Sequence, residues 1–158
     1  MNKYFSRTQR GVSLIEVMIA VFIMAVGLLG AAAMQLSALK YTDSARYRTQ
    51  ASFIAYDIAD RIRANADASN ISEYALSNAS ASNACSGVCA SDIRDFKANL
   101  NSLPGSDGYI RVAGTKVTVG VSWSESRAGG KDASGNASTS SISVVTHVAV
   151  ATVPGGEG

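Results

Sequence analysis

Residues 11–40 read GVSLIEVMIAVFIMAVGLLGAAAMQLSALK, and Glu16 is the one charged side chain in that run before Lys40. A helix over residues 17–39 is about 34 Å long, enough to cross the roughly 30 Å hydrocarbon layer of a bilayer. The preceding residues, MNKYFSRTQR, carry Lys3, Arg7 and Arg10 and no acid. Such a basic leader stays on the cytoplasmic side of a membrane. The rest of the chain is slightly acidic, so the formal charge of +2 over 158 residues hides an asymmetry. A nucleic-acid binder spreads positive charge over a folded face, and this chain does not. With 47% hydrophobic and 16% charged residues, it is too apolar for disorder and poor in charge for a cytosolic enzyme. Its length fits one domain. One His and two Cys leave no ligand set for a structural zinc site.

Three readings of the amino terminus compete. A cleaved secretory signal would use the small-residue site Ala31-Ala32-Ala33. A plain signal anchor would simply stay in the bilayer. Both leave Glu16 unexplained, because a carboxylate at the edge of a membrane span is costly and calls for a partner. The third reading accounts for it. Gly11 followed by Val12-Ser13-Leu14-Ile15-Glu16-Val17 and an unbroken apolar helix resembles the class III signal of type IV prepilins and type II secretion pseudopilins. The resemblance implies that prepilin peptidase, a membrane aspartic protease, cuts between Gly11 and Val12 and N-methylates Val12. Glu16 would then be the fifth mature residue. The family usually has Phe after the cut, where this chain has Val12.

The chemistry of Glu16 has its own logic. In a helix, Val12 and Glu16 are i and i+4 and share a face. Once the leader is gone, Val12 bears a cationic amine in apolar surroundings, and a buried cation needs a buried anion nearby. Within one subunit or between filament neighbours, Glu16 is the candidate for charge neutralisation during assembly. Gly27 and Gly30, inside the apolar run, fit either local helix melting in a filament or plain small-residue packing in a membrane.

No proline occurs before Pro104, so nothing blocks a long helix. From Lys40 the pattern turns amphipathic. Tyr47, Ala51, Ile54, Ile58 and Ile62 make one stripe, with Arg46, Arg48, Asp57, Asp60, Arg61 and Arg63 mostly off it. The helix is predicted to end near Asn65. The phrase AYDIADRIRAN, residues 55–65, together with VGLLGAAAMQL, residues 26–36, resembles PilV-type minor pilins, the type IV pilus modification proteins.

Residues 66–91 are rich in Ala, Ser and Asn and read as a long loop. Cys85 and Cys89 enclose three residues within it; in an oxidising periplasm a disulfide closes this small loop. A redox pair is the alternative, though the spacing is CxxxC without a supporting aromatic or His. A metal site would have only His147 to assist it. Ser91 or Asp92 is placed to cap a short helix carrying Ile93, Phe96 and Leu100, which stops before Leu103-Pro104-Gly105. The period then becomes two. Residues 109–112 and 116–123 read as strands around a turn at 113–115, with Val117, Val119, Val121 and Trp123 facing one way. Residues 124–140 form a loop. Residues 141–153 are the last strand, with Ile142, Val144, Thr146, Val148 and Val150 on one face and His147 on the other. The LPG turn followed by V-x-V-x-V-x-W also resembles the PilV-type pattern. Gly129-Gly130-Lys131-Asp132 lacks the leading glycine and the Ser/Thr of a phosphate-binding loop, and no GxSxG, HExxH or dinucleotide fingerprint occurs.

The expected class is α+β and pilin-like: a long amino-terminal helix, membrane-spanning in its first half, packed on a small antiparallel sheet. The expected organisation is a leader over 1–11, a transmembrane or filament-core helix over 12–39, and a periplasmic head over 40–158. The resemblance implies a minor pilin subunit, not an enzyme, with no cofactor and no metal. Its partners would be prepilin peptidase, other minor pilins, the major pilin, the inner-membrane assembly platform and the lipid bilayer, with no nucleic acid. It would sit in the bacterial inner membrane before assembly and in the pilus at the cell surface afterwards, contributing to pilus priming, twitching motility and adhesion. A type II secretion minor pseudopilin shares the same signal. A secreted binding domain with an ordinary cleaved signal is the alternative from another class.

Overall fold

The computed structural model describes residues 11–67, 69–127 and 129–149. The leader residues 1–10, Val150 and the rest of the expected last strand to residue 153 lie outside the described residues. The chain divides into two units, residues 1–39 and residues 40–158. The fold is α+β and pilin-like, with elements in the order α1 (Leu14–Asn65), a 3₁₀ turn (Ile71–Tyr74), α2 (Gly87–Leu100), β1 (Asp107–Ala113), β2 (Lys116–Ser124) and β3 (Thr139–His147). All side chains over residues 11–40 are exposed, and α1 contains a stretch long and apolar enough to cross a membrane.

The head is built on the α1 stripe. Tyr47, Ala51, Ile54, Ile58 and Ile62 are all buried. They share one apolar cluster with Ile93, Phe96 and Leu100 of α2 and with Val117, Val119, Val121 and Trp123 of β2. Each large apolar side chain removed from water there is worth roughly 1.5–3 kcal/mol. Ala55 and Ala59, also fully buried, keep that helical face flat enough for close packing. The three strands form an antiparallel sheet in the order β1-β2-β3. Val119 is opposite Ile110 on one side and Val144 on the other. On the outer face, the Tyr109 ring lies across Gly120, where any Cβ would collide with it, and the Arg111 guanidinium sits 4.5 Å above that ring.

The structure departs from the sequence expectations in four places. Residues 66–91 are not all loop. The Asp67 carboxylate accepts hydrogen bonds from the backbone and hydroxyl of Ser69 and the backbone of Asn70, and this turn launches the 3₁₀ segment that buries Ile71 and Tyr74. Leu76 then exchanges backbone hydrogen bonds with Ile110. Second, α2 begins at Gly87, not near Asp92, with Ser86 at its cap position. Gly87 has φ 61°, a conformation glycine adopts without strain, so the helix can start directly from the cysteine loop. Third, the β2–β3 connection is a folded hairpin extension: Glu125 N–H bonds to Ser138 O, and Lys131 bridges to Ala137. Fourth, β3 (Thr139–His147) begins two residues before the expected residue 141, because Thr139 still pairs with Ser124, the last residue of β2.

Candidate functional site

The amino-terminal features lie on one short segment. Gly11, Val12 and Ser13 precede the helix. Ser13 O accepts the first backbone bonds, from Glu16 N–H at 3.0 Å and Val17 N–H at 3.3 Å. The helix therefore starts at Leu14 and Val12 lies just outside it, a difference from the i, i+4 helical pairing expected of Val12 and Glu16. Serine is a good helix start, and the following run of apolar residues is a good helix body. Glu16 occupies the first turn, where the free N–H groups and the helix dipole favour a negative charge. Its side chain is exposed and has no ion-pair partner among the described residues. Around it Val12, Leu14, Ile15, Met18 and Ile19 are more than half exposed. Such a surface, uncovered in a single chain, needs lipid or other helices.

In the head, the sequence reading missed the group that ties the elements together. Asp92 is not a cap; it is buried in the second turn of α2 at 4% exposure. Its carboxylate accepts hydrogen bonds from Tyr74 Oη at 2.9 Å, Asn65 Nδ2 at 2.9 Å and Arg61 Nη1 at 3.5 Å. Arg61 also bonds to Asp57 and Asp95, each at 3.0 Å. Asp57, then Asp95, hold the guanidinium even more firmly protonated than usual. Burial, reinforced by the bond to Asp92, pushes the Tyr74 phenol above its ordinary range. The signal was legible: Cys89, Asp92, Phe96 and Leu100 fall on one face of α2, and a carboxylate on an apolar stripe implies buried donors.

Glu125 is a second missed residue. The alternation Val117, Val119, Val121, Trp123 carries on to Glu125 and aims it inward, where it is 7% exposed. Its Oε1 accepts from Trp123 Nε1 at 3.0 Å and Ser44 Oγ at 3.2 Å, which fastens the end of β2 to α1. Arg127 Nη1 reaches Tyr47 Oη nearby at 3.2 Å. Cys85 and Cys89 are joined by a disulfide, with Cα atoms 5.8 Å apart. Cys89 is buried beside the α2 core, so the bond pins the preceding loop to α2. Lys97 Nζ holds the same loop through Ala81 O at 2.5 Å. His147 is exposed. No group of three His, Cys, Asp or Glu side chains that could hold a metal ion occurs among the described residues. These contacts tie α1, the 3₁₀ turn, α2 and β2 of the head together.

Comparison with known families gives two matches. Residues 6–32 match the prokaryotic N-terminal methylation motif. Residues 33–98 match the Type IV pilin Tt1218 family. No curated protein and no solved structure matches the chain. The two matches meet in the middle of α1 and run on through the 3₁₀ turn and most of α2. The methylation motif, the pilin match and a long apolar-headed helix carrying a small antiparallel sheet together support a type IV pilin with a class III prepilin signal.

Proposed function

We propose that the chain is a PilV-type minor pilin, cut by prepilin peptidase between Gly11 and Val12 and N-methylated at Val12. The leader is then residues 1–11, the membrane and filament helix residues 12–39, and the periplasmic head residues 40–158. The observation that carries this reading is Glu16: a solitary carboxylate, exposed in the first helical turn amid apolar side chains, with no partner in its own chain among the described residues. A neighbouring subunit's cationic amine, or its own once Val12 is the terminus, gives that charge a partner. The pilin family suggests a structural subunit rather than an enzyme. As a subunit, the protein rests in the inner membrane on its apolar helix and moves sideways into the filament core beside other pilin helices. Its head offers the surface that sibling minor pilins contact, supporting pilus priming, twitching motility and adhesion.

The test is Glu16→Ala in cells that assemble pili. The expected outcome is a normally processed, stable subunit in the membrane that is depleted at least about tenfold from sheared pili, the equivalent of 1.4 kcal/mol or more in partitioning. Unchanged incorporation would remove the charge-pairing role.

A further inference from the structure

The two sulfurs of the Cys85–Cys89 bridge sit in different surroundings. Cys89 is buried at 6% exposure, in the core that also takes Ile93 and Phe96 of α2. Cys85 is half-buried in the preceding loop. It lines an open cleft of about 310 Å³ with Asn83, Ala90, Ile93, Arg94 and Lys97, whereas Cys89 does not line it. A thiol arriving from solvent therefore meets the Cys85 sulfur first. Arg94 and Lys97 are cations, and no lining side chain among the described residues is acidic. The cleft thus favours a thiolate, the form that attacks disulfides.

The other sulfur is placed to leave. α2 starts at Gly87, so Cys89 is its third residue. The N–H groups of a first helical turn lack intrahelical acceptors, and the helix dipole favours negative charge there. No acidic side chain occupies that turn, and Ser86 at the cap position makes no side-chain hydrogen bond to it. The carboxylate one turn further on, Asp92, is already held by Arg61, Asn65 and Tyr74. A thiolate released at Cys89 is stabilised by this setting, and a stabilised leaving thiolate speeds exchange. The CxxxC spacing offers no activating aromatic or His; the helix start and the cationic cleft take that part. The loop also has anchors besides the sulfur bond. Asn83 Nδ2 donates to Glu73 O at 2.8 Å and Ala75 O at 3.1 Å, and Asn83 Oδ1 accepts from Cys85 N–H at 2.8 Å. Opening the bridge therefore loosens the cysteine loop while Ile93, Phe96 and Leu100 keep α2 in the core.

The geometry points to Cys85–Cys89 as a thiol–disulfide exchange site at which the thiolate of an external dithiol attacks Cys85 Sγ. A mixed disulfide forms there, and the Cys85–Cys89 bond breaks with its electron pair leaving on Cys89. The second sulfur of the dithiol, as thiolate, then displaces Cys85 as a thiolate. The dithiol is oxidised to a disulfide, the cysteine pair is reduced, and the two protons given up by the dithiol end on the cysteines. The loop between residues 85 and 89 opens or closes with the redox state around the head. The reading is independent of processing at Gly11.

Reaction of the full chain with glutathione in detergent micelles tests this. After brief exposure and an acid quench, peptide mass analysis should find glutathione on Cys85 in at least about tenfold excess over Cys89. Arg94→Glu, at an exposed position, should slow attack by glutathione, whose thiolate form is doubly anionic. The slowing should be at least about threefold greater than for cysteamine, whose thiolate form is a zwitterion. The amide of Val119 in the central strand should stay protected from hydrogen exchange while the bond is reduced. Glutathione mainly on Cys89 or equally on both, or equal slowing of the two thiols by Arg94→Glu, would overturn the proposal. Reduction no faster than the opening of the Val119 amide would overturn it too, because the bond would then be reached only by unfolding.

Discussion

Asp92 is surrounded by donors from three elements: Tyr74 in the 3₁₀ turn, Asn65 at the end of α1, and Arg61 one turn earlier. Removing the carboxylate leaves a buried phenol and an amide without their acceptor, while Arg61 keeps Asp57 and Asp95. Asp92→Ala should therefore cost about 2–4 kcal/mol of head stability, and Asp92→Asn less, as read by denaturant unfolding. Tyr74 gives a pH-dependent check. Its phenol holds its proton above the ordinary value of 10.0, first through burial and then through Asp92. The folded head binds that proton more tightly than the unfolded chain. This contribution to stability is complete below pH 10.0 and is lost as the pH climbs past that value. Melting temperatures across the alkaline range should fall steeply in the native protein. Tyr74→Phe should flatten that slope while lowering stability at neutral pH by about 1 kcal/mol for the lost hydrogen bond.

At the scale of elements, periodic features were readable and non-periodic ones were not. The α1 stripe from Tyr47 to Ile62 and the β2 alternation from Val117 to Trp123 bury as their spacing requires. Each is a regular face that can meet only one neighbour. The extra turn of α2 was not readable, because Gly87 is a poor helix former by propensity and its start depends on the loop held by the cysteines. The start of β3 was not readable either: Thr139 and Ser140 sit in a Ser/Gly-rich run, and their place in the strand is set by pairing with Ser124 and Trp123. Asp92 and Glu125 were within reach of the same periodicities, but the sequence reading makes Asp92 a helix cap and leaves Glu125 in the loop of residues 124–140. The disulfide belongs to this scale. Its cysteines are four positions apart, and closing so short a loop stabilises by only about 2 kcal/mol. Cys85→Ser with Cys89→Ser should lower head stability by that amount. Proteolytic cutting should rise within residues 75–86, with the sheet amides unaffected.

For the whole molecule, two surfaces of opposite character meet in one chain. Over residues 11–40 every side chain is exposed and nearly all are apolar, so this part demands lipid or helices of other subunits. The head buries its own core and presents ion-paired charges, such as Arg63 with Asp60 at 2.7 Å, so it is built for water. In the proposed role, such a subunit would be stored in a bilayer and later moved into a helical bundle without unfolding its head, because both environments satisfy the same apolar rod. On that proposal, the chemistry at Gly11, Val12 and Glu16 gives the move its direction. The most direct measurement is the mass and sequence of the amino terminus of protein recovered from cells with an active prepilin peptidase. N-methylated Val12 as the first residue is the predicted result. A chain that still begins MNKYFSRTQRG, or one that begins after Ala33, would contradict it.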